Sequence, residues 1–314
     1  MEHSNVYEVV VVGGGAAGLS AALVLGRSRR RTLVLASGEP RNAPARTSHG
    51  FFTRDGISPR ELLERGREQL RPYSDVEYLA VEVTGVSGTD GNFEVMLEGE
   101  QTVWTRKLVL ATGVADELPP QSGFKELWGR GVYSCPYCHG WEVRDRALAV
   151  LAEGDEVVER AVLIRQWSRN LVALTHGAPL SDGARERLQS LGVPVYEGRI
   201  LHLEGKGGSE GLSRIVFEDG SSVGREALFY GPPQRQRSNL AEALGCEIGP
   251  MGPAAEIVTA NPVTRETSVK GVYAVGDMGF PMAQISLAVA AGSAAAAFIN
   301  HALCVEADGG SDGN

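Results

Sequence analysis

Cysteine is scarce in this chain: four residues in 314, at positions 135, 138, 246 and 304. So few, in a chain this long, exclude the disulfide-stapled scaffold of a small secreted domain. Positive charge is also short. Thirty Lys and Arg face 39 Asp and Glu, a net charge of −9, which argues against a surface built to track nucleic-acid phosphates. The one dense basic run, Arg27-Ser-Arg-Arg-Arg31, follows a stretch of helical composition. It reads as a helix C-terminus, where cations complement the dipole. No uninterrupted apolar run reaches the length of a bilayer span, so no membrane segment is expected. The first eight residues are polar and slightly acidic and lack the basic start and apolar helix of a secretory signal. The expected compartment is therefore the cytoplasm. What remains is ordinary globular composition, 43% hydrophobic and 22% charged.

Residues 8–12 (Glu-Val-Val-Val-Val) form a β-branched run of the kind buried on both faces of a parallel sheet. Gly13-Gly-Gly15-Ala16-Ala17-Gly18 follows, then an apolar helical stretch from Leu19 to Leu25. This is G-x-G-x-x-G in its required strand–turn–helix setting. Gly13 suits the tight turn, Gly15 the approach of a pyrophosphate, and Gly18 the packing of helix on strand. The helix N-terminus then offers unpaired N–H groups to the phosphates. A second strand, Thr32–Leu35, completes the unit. The carboxylate that normally closes it to hold a ribose is missing, because Ala36 and Ser37 stand there. Glu39 is the nearest substitute.

Two distant segments favour FAD over NAD at this site. Leu108-Val-Leu-Ala111-Thr112-Gly113 is a strand ending in small residues. Gly271-Val-Tyr-Ala-Val-Gly276-Asp277 is another, ending in a carboxylate that can accept from ribityl hydroxyls. Gln284-Ile285-Ser286 then opens an alanine-rich helix whose N-terminus can stabilise negative charge on a reduced flavin.

The stretch Tyr133-Ser-Cys135-Pro-Tyr-Cys138-His139-Gly140 concentrates the chemistry. Four uses of Cys-x-x-Cys compete. A zinc site needs four ligands, and a second pair is lacking. Cys-x-x-Cys-His matches c-type haem attachment but calls for export. A purely structural disulfide is disfavoured in a reducing compartment. A redox-active dithiol carries most of the weight, with one thiol lowering the pKa of the other. His139 is the candidate proton donor and acceptor near neutral pH. Cys246 and Cys304 read as buried, inert thiols, and no metal site is expected.

Gly13–Gly18, Ala111–Gly113, Cys135–Gly140 and Gly276–Asp277 occur in the order and spacing of the low-molecular-weight thioredoxin reductases, which the chain resembles from Val9 to about Ala302. It is more closely similar to the branch that oxidises dithiols in natural products such as gliotoxin and holomycin. Gly38-Glu-Pro-Arg-Asn42, Cys-Pro-Tyr-Cys-His-Gly and Arg165-Gln-Trp-Ser168 carry that likeness. The resemblance implies an α/β homodimer with two Rossmann-like, three-layer dinucleotide-binding domains. The FAD domain would be discontinuous, 1–117 plus 247–314, and the central domain would span 118–246. It also implies Asn42 among the FAD-binding residues, Cys138 against the flavin and Cys135 exchanging with a disulfide or dithiol. The expected partner is a thioredoxin-like protein or a small molecule. Thioredoxin reductases carry Asp after the second Cys, where this chain has His139.

The central segment lacks what a second, NADPH-binding fingerprint would require. After a strand expected at 146–151 stands Ala152-Glu153-Gly154-Asp155-Glu156, with three carboxylates where a pyrophosphate should lie. After the next strand, at 170–175, stands His176-Gly-Ala rather than a basic cluster, and Arg165 and Arg169 do not match its position. NADPH is therefore in doubt as the electron partner, with an iron–sulfur protein such as ferredoxin, a second flavin or oxygen as alternatives. The segment 228–238, with Arg235 and Arg237, is expected to be a loop, and the tail from Glu306 to be disordered.

Overall fold

A computed structural model of the chain describes residues 6–207, 211–250, 256–280 and 282–309. The fold is α/β, and its contacts gather into two compact units. The first joins Met1–Arg41, Arg60–Ala115 and Gln234–Asn314; the second joins Asn42–Pro59 and Asp116–Pro233. Thus residues 42–59 group with the central segment, and residues 234–246 with the first unit.

The first unit is built on β1 (Val6–Val12), α1 (Ala16–Arg27), β2 (Thr32–Leu35), β3 (Val76–Leu79), β4 (Val83–Thr89), β5 (Asn92–Leu97) and β6 (Thr102–Leu110). The sheet order is β3-β2-β1-β6-β5-β4, and the strand Val272–Ala274 also pairs with β6. β1, β2, β3, β6 and Val272–Ala274 run parallel, whereas β4 and β5 form an antiparallel meander. Register fixes the functional edge. Val12 lies opposite both Leu35 and Leu110, and Leu110 lies opposite Ala274. The turns that follow these strands, starting at Gly13, Ala36, Ala111 and Val275, therefore emerge side by side.

Alternation along β1 separates two cores. Val9 and Val11 join α1 and the C-terminal helix Ile285–Gly309; Val10 and Val12 face Phe93, Val95, Val258 and Met278. Each of these valines is at least 95% buried, worth about 2 kcal/mol apiece in removed apolar surface. The C-terminal helix is long and apolar enough to cross a membrane by length and composition, although no uninterrupted apolar run reaches that length. In this fold Ala291, Ala295, Ala296, Ile299 and Leu303 recur at helical spacing and bury with α1. A broken run of small residues escapes a search for unbroken apolar ones.

Two further expectations are corrected. Glu306 to Gly309 continue the C-terminal helix. Glu306 pairs with Arg106 and with Lys107, a side chain only 2% exposed that also binds Asp90 at 2.6 Å. Burying that ammonium is tolerable only because two carboxylates meet it. Residues 310–314 lie outside the described residues. Cys246 is buried as expected, but Cys304 is exposed and accepts from Arg30 Nη2 at 2.9 Å.

The second unit has a parallel sheet ordered Val195–Tyr196, Leu171–Leu174, Leu148–Leu151, Ala227–Tyr230, Val132–Tyr133, with a separate antiparallel sheet of Ile200–Gly205, Leu212–Phe217 and Ser222–Gly224. Leu151 lies opposite Leu174 and Tyr230, again lining up the outgoing turns. The expected loop at 228–238 is partly strand, since Ala227–Tyr230 enters this sheet and Gln234–Gln236 is extended.

α1 and the C-terminal helix approach closely. A Cβ built at Gly292 would stand 2.0 Å from the Ala17 carbonyl oxygen. Gly292→Ala must push the helices apart, and we expect a loss of about 1–3 kcal/mol in urea denaturation. Unchanged stability would show that the two helices are not held at this distance.

Candidate active site

The G-x-G-x-x-G turn owes its shape to backbone packed on backbone. Gly13 has φ +120°, and a Cβ there would come within 2.2 Å of the Ala111 carbonyl oxygen. A Cβ on Gly18 would meet the Gly13 carbonyl at 1.8 Å. Side chains at either position would break the turn. Gly15 differs, because nothing lies within 4 Å of where its Cβ would be. Gly15 is also the N-cap of α1, with no side-chain capping bond. Open space therefore meets the amide-rich first turn of Ala16, Ala17 and Gly18, as the phosphates of a dinucleotide require.

The other predicted cofactor residues of the first unit gather at the same sheet edge. Thr112 Oγ1 lies 3.5 Å from Met278 Sδ, tying the turn after β6 to the turn Gly276–Gly279. Asp277 is paired with Arg41 Nη1 at 3.3 Å. Ile285 begins the C-terminal helix, and the Gln284 carbonyl accepts from Ala288 N at 2.9 Å. Glu39 is exposed, and its carbonyl accepts from Arg237 Nη1 at 2.8 Å. The Arg237 amide in turn donates to the Gly113 carbonyl at 3.2 Å. The segment expected to be a loop thus holds the backbone that follows β2. These residues fit a flavin dinucleotide.

In the second unit Cys135 and Cys138 are joined as a disulfide, with Cα atoms 5.3 Å apart. Cys135 caps the single turn Pro136–His139, and its Sγ accepts from Cys138 N at 3.2 Å. Pro136 at the first helical position costs no hydrogen bond there. Gly140 permits the turn to seat on Trp167, whose Nε1 would lie 2.7 Å from a Cβ at that position. Tyr137 meets the same indole edge-on at 5.7 Å. Trp167, in the segment Arg165–Ser168, is thus the floor beneath the disulfide turn.

His139 stacks on Tyr133 with centroids 4.5 Å apart. Both ring nitrogens are buried and find no hydrogen-bond partner among the described residues. Burial, then the nearby charge of His49, lowers its pKa to about 4. Titration near neutrality is therefore not met with the disulfide closed. The imidazole is neutral at physiological pH. Sequence reading missed His49, which lies 3.5 Å from Asp55 Oδ1 and 3.4 Å from Glu142 Oε1. Glu142, three residues beyond His139, was a visible hint; the approach of the 47–55 segment was not. Asn42 is in this unit, its amide 3.4 Å from Ser48 Oγ. No group of three or more His, Cys, Asp or Glu is placed to hold a metal among the described residues.

At the outgoing edge of the central sheet, Glu153, Asp155 and Glu156 are all exposed, and Asp155 accepts from Ser181 N and Oγ at 3.0 and 2.7 Å. His176, where a basic cluster would stand, accepts the Ile200 amide on Nδ1 at 2.9 Å. Burial, then the charge of Arg199, lowers its pKa. A ring nitrogen committed as acceptor keeps this histidine neutral.

The family model for pyridine nucleotide-disulphide oxidoreductases matches residues 7–295. The chain is 32% identical to thioredoxin reductase tcpT of Claviceps purpurea, covering 98% of each chain. It is 33% identical to thioredoxin reductase sirT of Leptosphaeria maculans, covering 97% of this chain and 96% of that one. Among solved structures, HlmI superposes with a TM-score of 0.91 at 40% identity, over 99% of this chain and 96% of HlmI.

The His139 environment predicts its titration. In the oxidised protein its ring resonance, assigned by its loss in His139→Phe, should titrate in NMR with a midpoint about 4, against 6.5 for a free histidine. Because the folded value lies below the unfolded one, the unfolded chain takes up the proton first. Stability is complete above pH 6.5 and declines as pH falls toward 4, and His139→Phe should lose that part of the slope. A midpoint near 6.5 would contradict the burial argument.

Proposed function

This chain belongs to the pyridine nucleotide-disulphide oxidoreductase family, and we infer that it is an FAD-dependent thiol–disulfide oxidoreductase working through Cys135 and Cys138. The observation that carries the reading is the joint presence of an open, glycine-built dinucleotide turn and a disulfide closed across one helical turn beside a buried imidazole. When bound, FAD supplies a two-electron carrier. Gly13–Gly18, Ala111–Gly113, Gly276, Asp277, Gln284 and Ile285 are assigned to hold it, so the first unit is the FAD domain and the second carries the redox pair.

For a dithiol substrate the exchange balances as follows. A substrate thiolate attacks Cys135 Sγ, the Cys135–Cys138 bond breaks, and Cys138 leaves as a thiolate. The second substrate thiol then displaces Cys135, so the substrate becomes a disulfide and the enzyme a dithiol, two electrons having moved. Neutral His139 accepts a proton released by the incoming thiols and, once charged, holds the Cys138 thiolate by attraction. Bound FAD would supply the acceptor for the electron pair that the reduced Cys135–Cys138 dithiol then carries. Run backwards, the same steps reduce a disulfide, including one in a thioredoxin-like protein.

The central unit supports the dithiol-oxidising direction with oxygen as acceptor. Its exposed carboxylates at 153, 155 and 156 and its neutral His176 do not suit a 2′-phosphorylated pyridine nucleotide. A reductase of this build would draw on another donor such as ferredoxin. The family resemblance extends the reading to a homodimer, and the unpaired Cys246 and Cys304 to the cytoplasm.

Anaerobic titration of the yellow protein separates these directions. A small dithiol should bleach the flavin within seconds, and micromolar NADPH should not. Cys135→Ser should keep its flavin and lose dithiol-driven bleaching by at least about a hundredfold, a barrier increase near 3 kcal/mol. Full turnover in Cys135→Ser would remove the exchange role, and rapid bleaching by NADPH would overturn the assignment of direction.

A further inference from the structure

Oxidising a dithiol to a disulfide removes two electrons and two protons. In thiol exchange at Cys135 and Cys138 the electron pair leaves through the sulfurs, so the protons need a path of their own. His139 takes one, but its ring has no outlet by itself. Both nitrogens are buried and unpartnered among the described residues, and Tyr133 covers one face. An imidazole held in that way passes a proton on only when another titratable group stands nearby.

The segment 47–55 brings such groups to the disulfide turn. His49 Nε2 lies 3.4 Å from Glu142 Oε1 and 3.0 Å from Thr47 Oγ1, and its Nδ1 lies 3.5 Å from Asp55 Oδ1. One imidazole thus joins two carboxylates through opposite nitrogens, which lets it accept a proton on one side and donate from the other. Glu142 follows His139 by three residues, and its Oε2 is buried with no partner among the described residues. Both members of the His49–Glu142 pair act on the ring stack, the charge of His49 on His139 and that of Glu142 on Tyr133. The other charges acting on Tyr133 are Arg46 and Arg146, cations that accept no proton. At the far end Asp55 is 71% exposed, against 18% for His49 and 34% for Glu142. The Gly50 amide donates to Asp55 at 2.8 Å and holds its carboxyl below the usual carboxylate range, so a proton arriving there passes to water.

We propose that Glu142, His49 and Asp55 form the proton outlet of the disulfide turn. An N–H bond of charged His139 breaks and an O–H bond forms on Glu142. Glu142 gives a proton to His49 Nε2, His49 releases one from Nδ1 to Asp55, and Asp55 yields it to solvent. His49 is left as its other tautomer, which exchange with water resets. One proton has moved from His139 to water, and nothing is oxidised or reduced. Glu142 and His49 act through His139, as positioning residues for its proton. The inference rests on the thiol–disulfide reading and goes beyond it by assigning the proton path.

Following electrons and protons separately tests it. Dithiothreitol is mixed anaerobically with the flavin-loaded full-length protein in weak buffer holding a pH-indicator dye, and flavin bleaching and proton appearance are recorded together. In the wild type the two should rise in step. In Glu142→Gln and in His49→Gln, bleaching should keep pace with the wild type while proton appearance lags by about 100-fold, the low end of what a placed acid or base contributes. Proton appearance in step with bleaching in both variants would overturn the outlet. Equal slowing of both signals would overturn it too, since His49 and Glu142 would then only support the turn. Glu142→Gln keeps the native shape at a partly exposed position, so it decides the matter should His49→Gln not fold. Failure of the thiol–disulfide reading shows differently, as absent bleaching in the wild type or full bleaching in Cys135→Ser, and it removes the outlet with it.

Discussion

Backbone-to-backbone contact around the N-terminus of α1 is the constraint on which the first unit depends. Gly13 against Ala111, Gly18 against Gly13 and Gly292 against Ala17 each leave no room for a side-chain carbon. Together they bring two strands and two helices to one point. In-register pairing of Val12, Leu110 and Ala274 then sets the turns at 111–113 and 276–279 beside the glycine turn. The cofactor crevice is a consequence of parallel strands ending at one level. The opening at Gly15 is where the crowding stops.

The second unit uses burial differently. Its disulfide turn is short and rests on aromatic rings: Trp167 under Gly140 and beside Tyr137, and Tyr133 stacked on His139. A histidine with two unpartnered buried nitrogens is costly, and here the cost falls next to the two sulfurs. Desolvation keeps the ring uncharged, and a thiolate appearing beside it would reverse that preference.

The central sheet keeps the architecture of a nucleotide-binding unit while its outgoing edge carries other chemistry. Glu153, Asp155 and Glu156 face water, Asp155 anchors Ser181, and His176 is spent on the Ile200 amide. Fold and site are separable in this way because the strands are selected by apolar burial, whereas the turns at their ends are selected by the ligand.

Much of this was legible in the sequence. The valine run, the glycine spacing and Cys135-Pro-Tyr-Cys138 are local patterns, dictated by strand burial, by turn sterics and by the reach of two sulfurs across one helical turn. They determined the α/β class, the first glycine turn and the paired cysteines. Long-range packing decided the rest. The C-terminal helix extends through Glu306 because the buried Lys107 needs that carboxylate, and Lys107 lies some two hundred residues away in sequence. Cys304 is exposed, with its sulfur against Arg30. His139 is held neutral because Tyr133 covers it and His49 approaches from another segment. Arg41 reads as one basic residue among thirty until the chain carries it to Asp277. A sequence displays spacing along the chain, but charge state and contact depend on distances through space, and only the folded protein sets those.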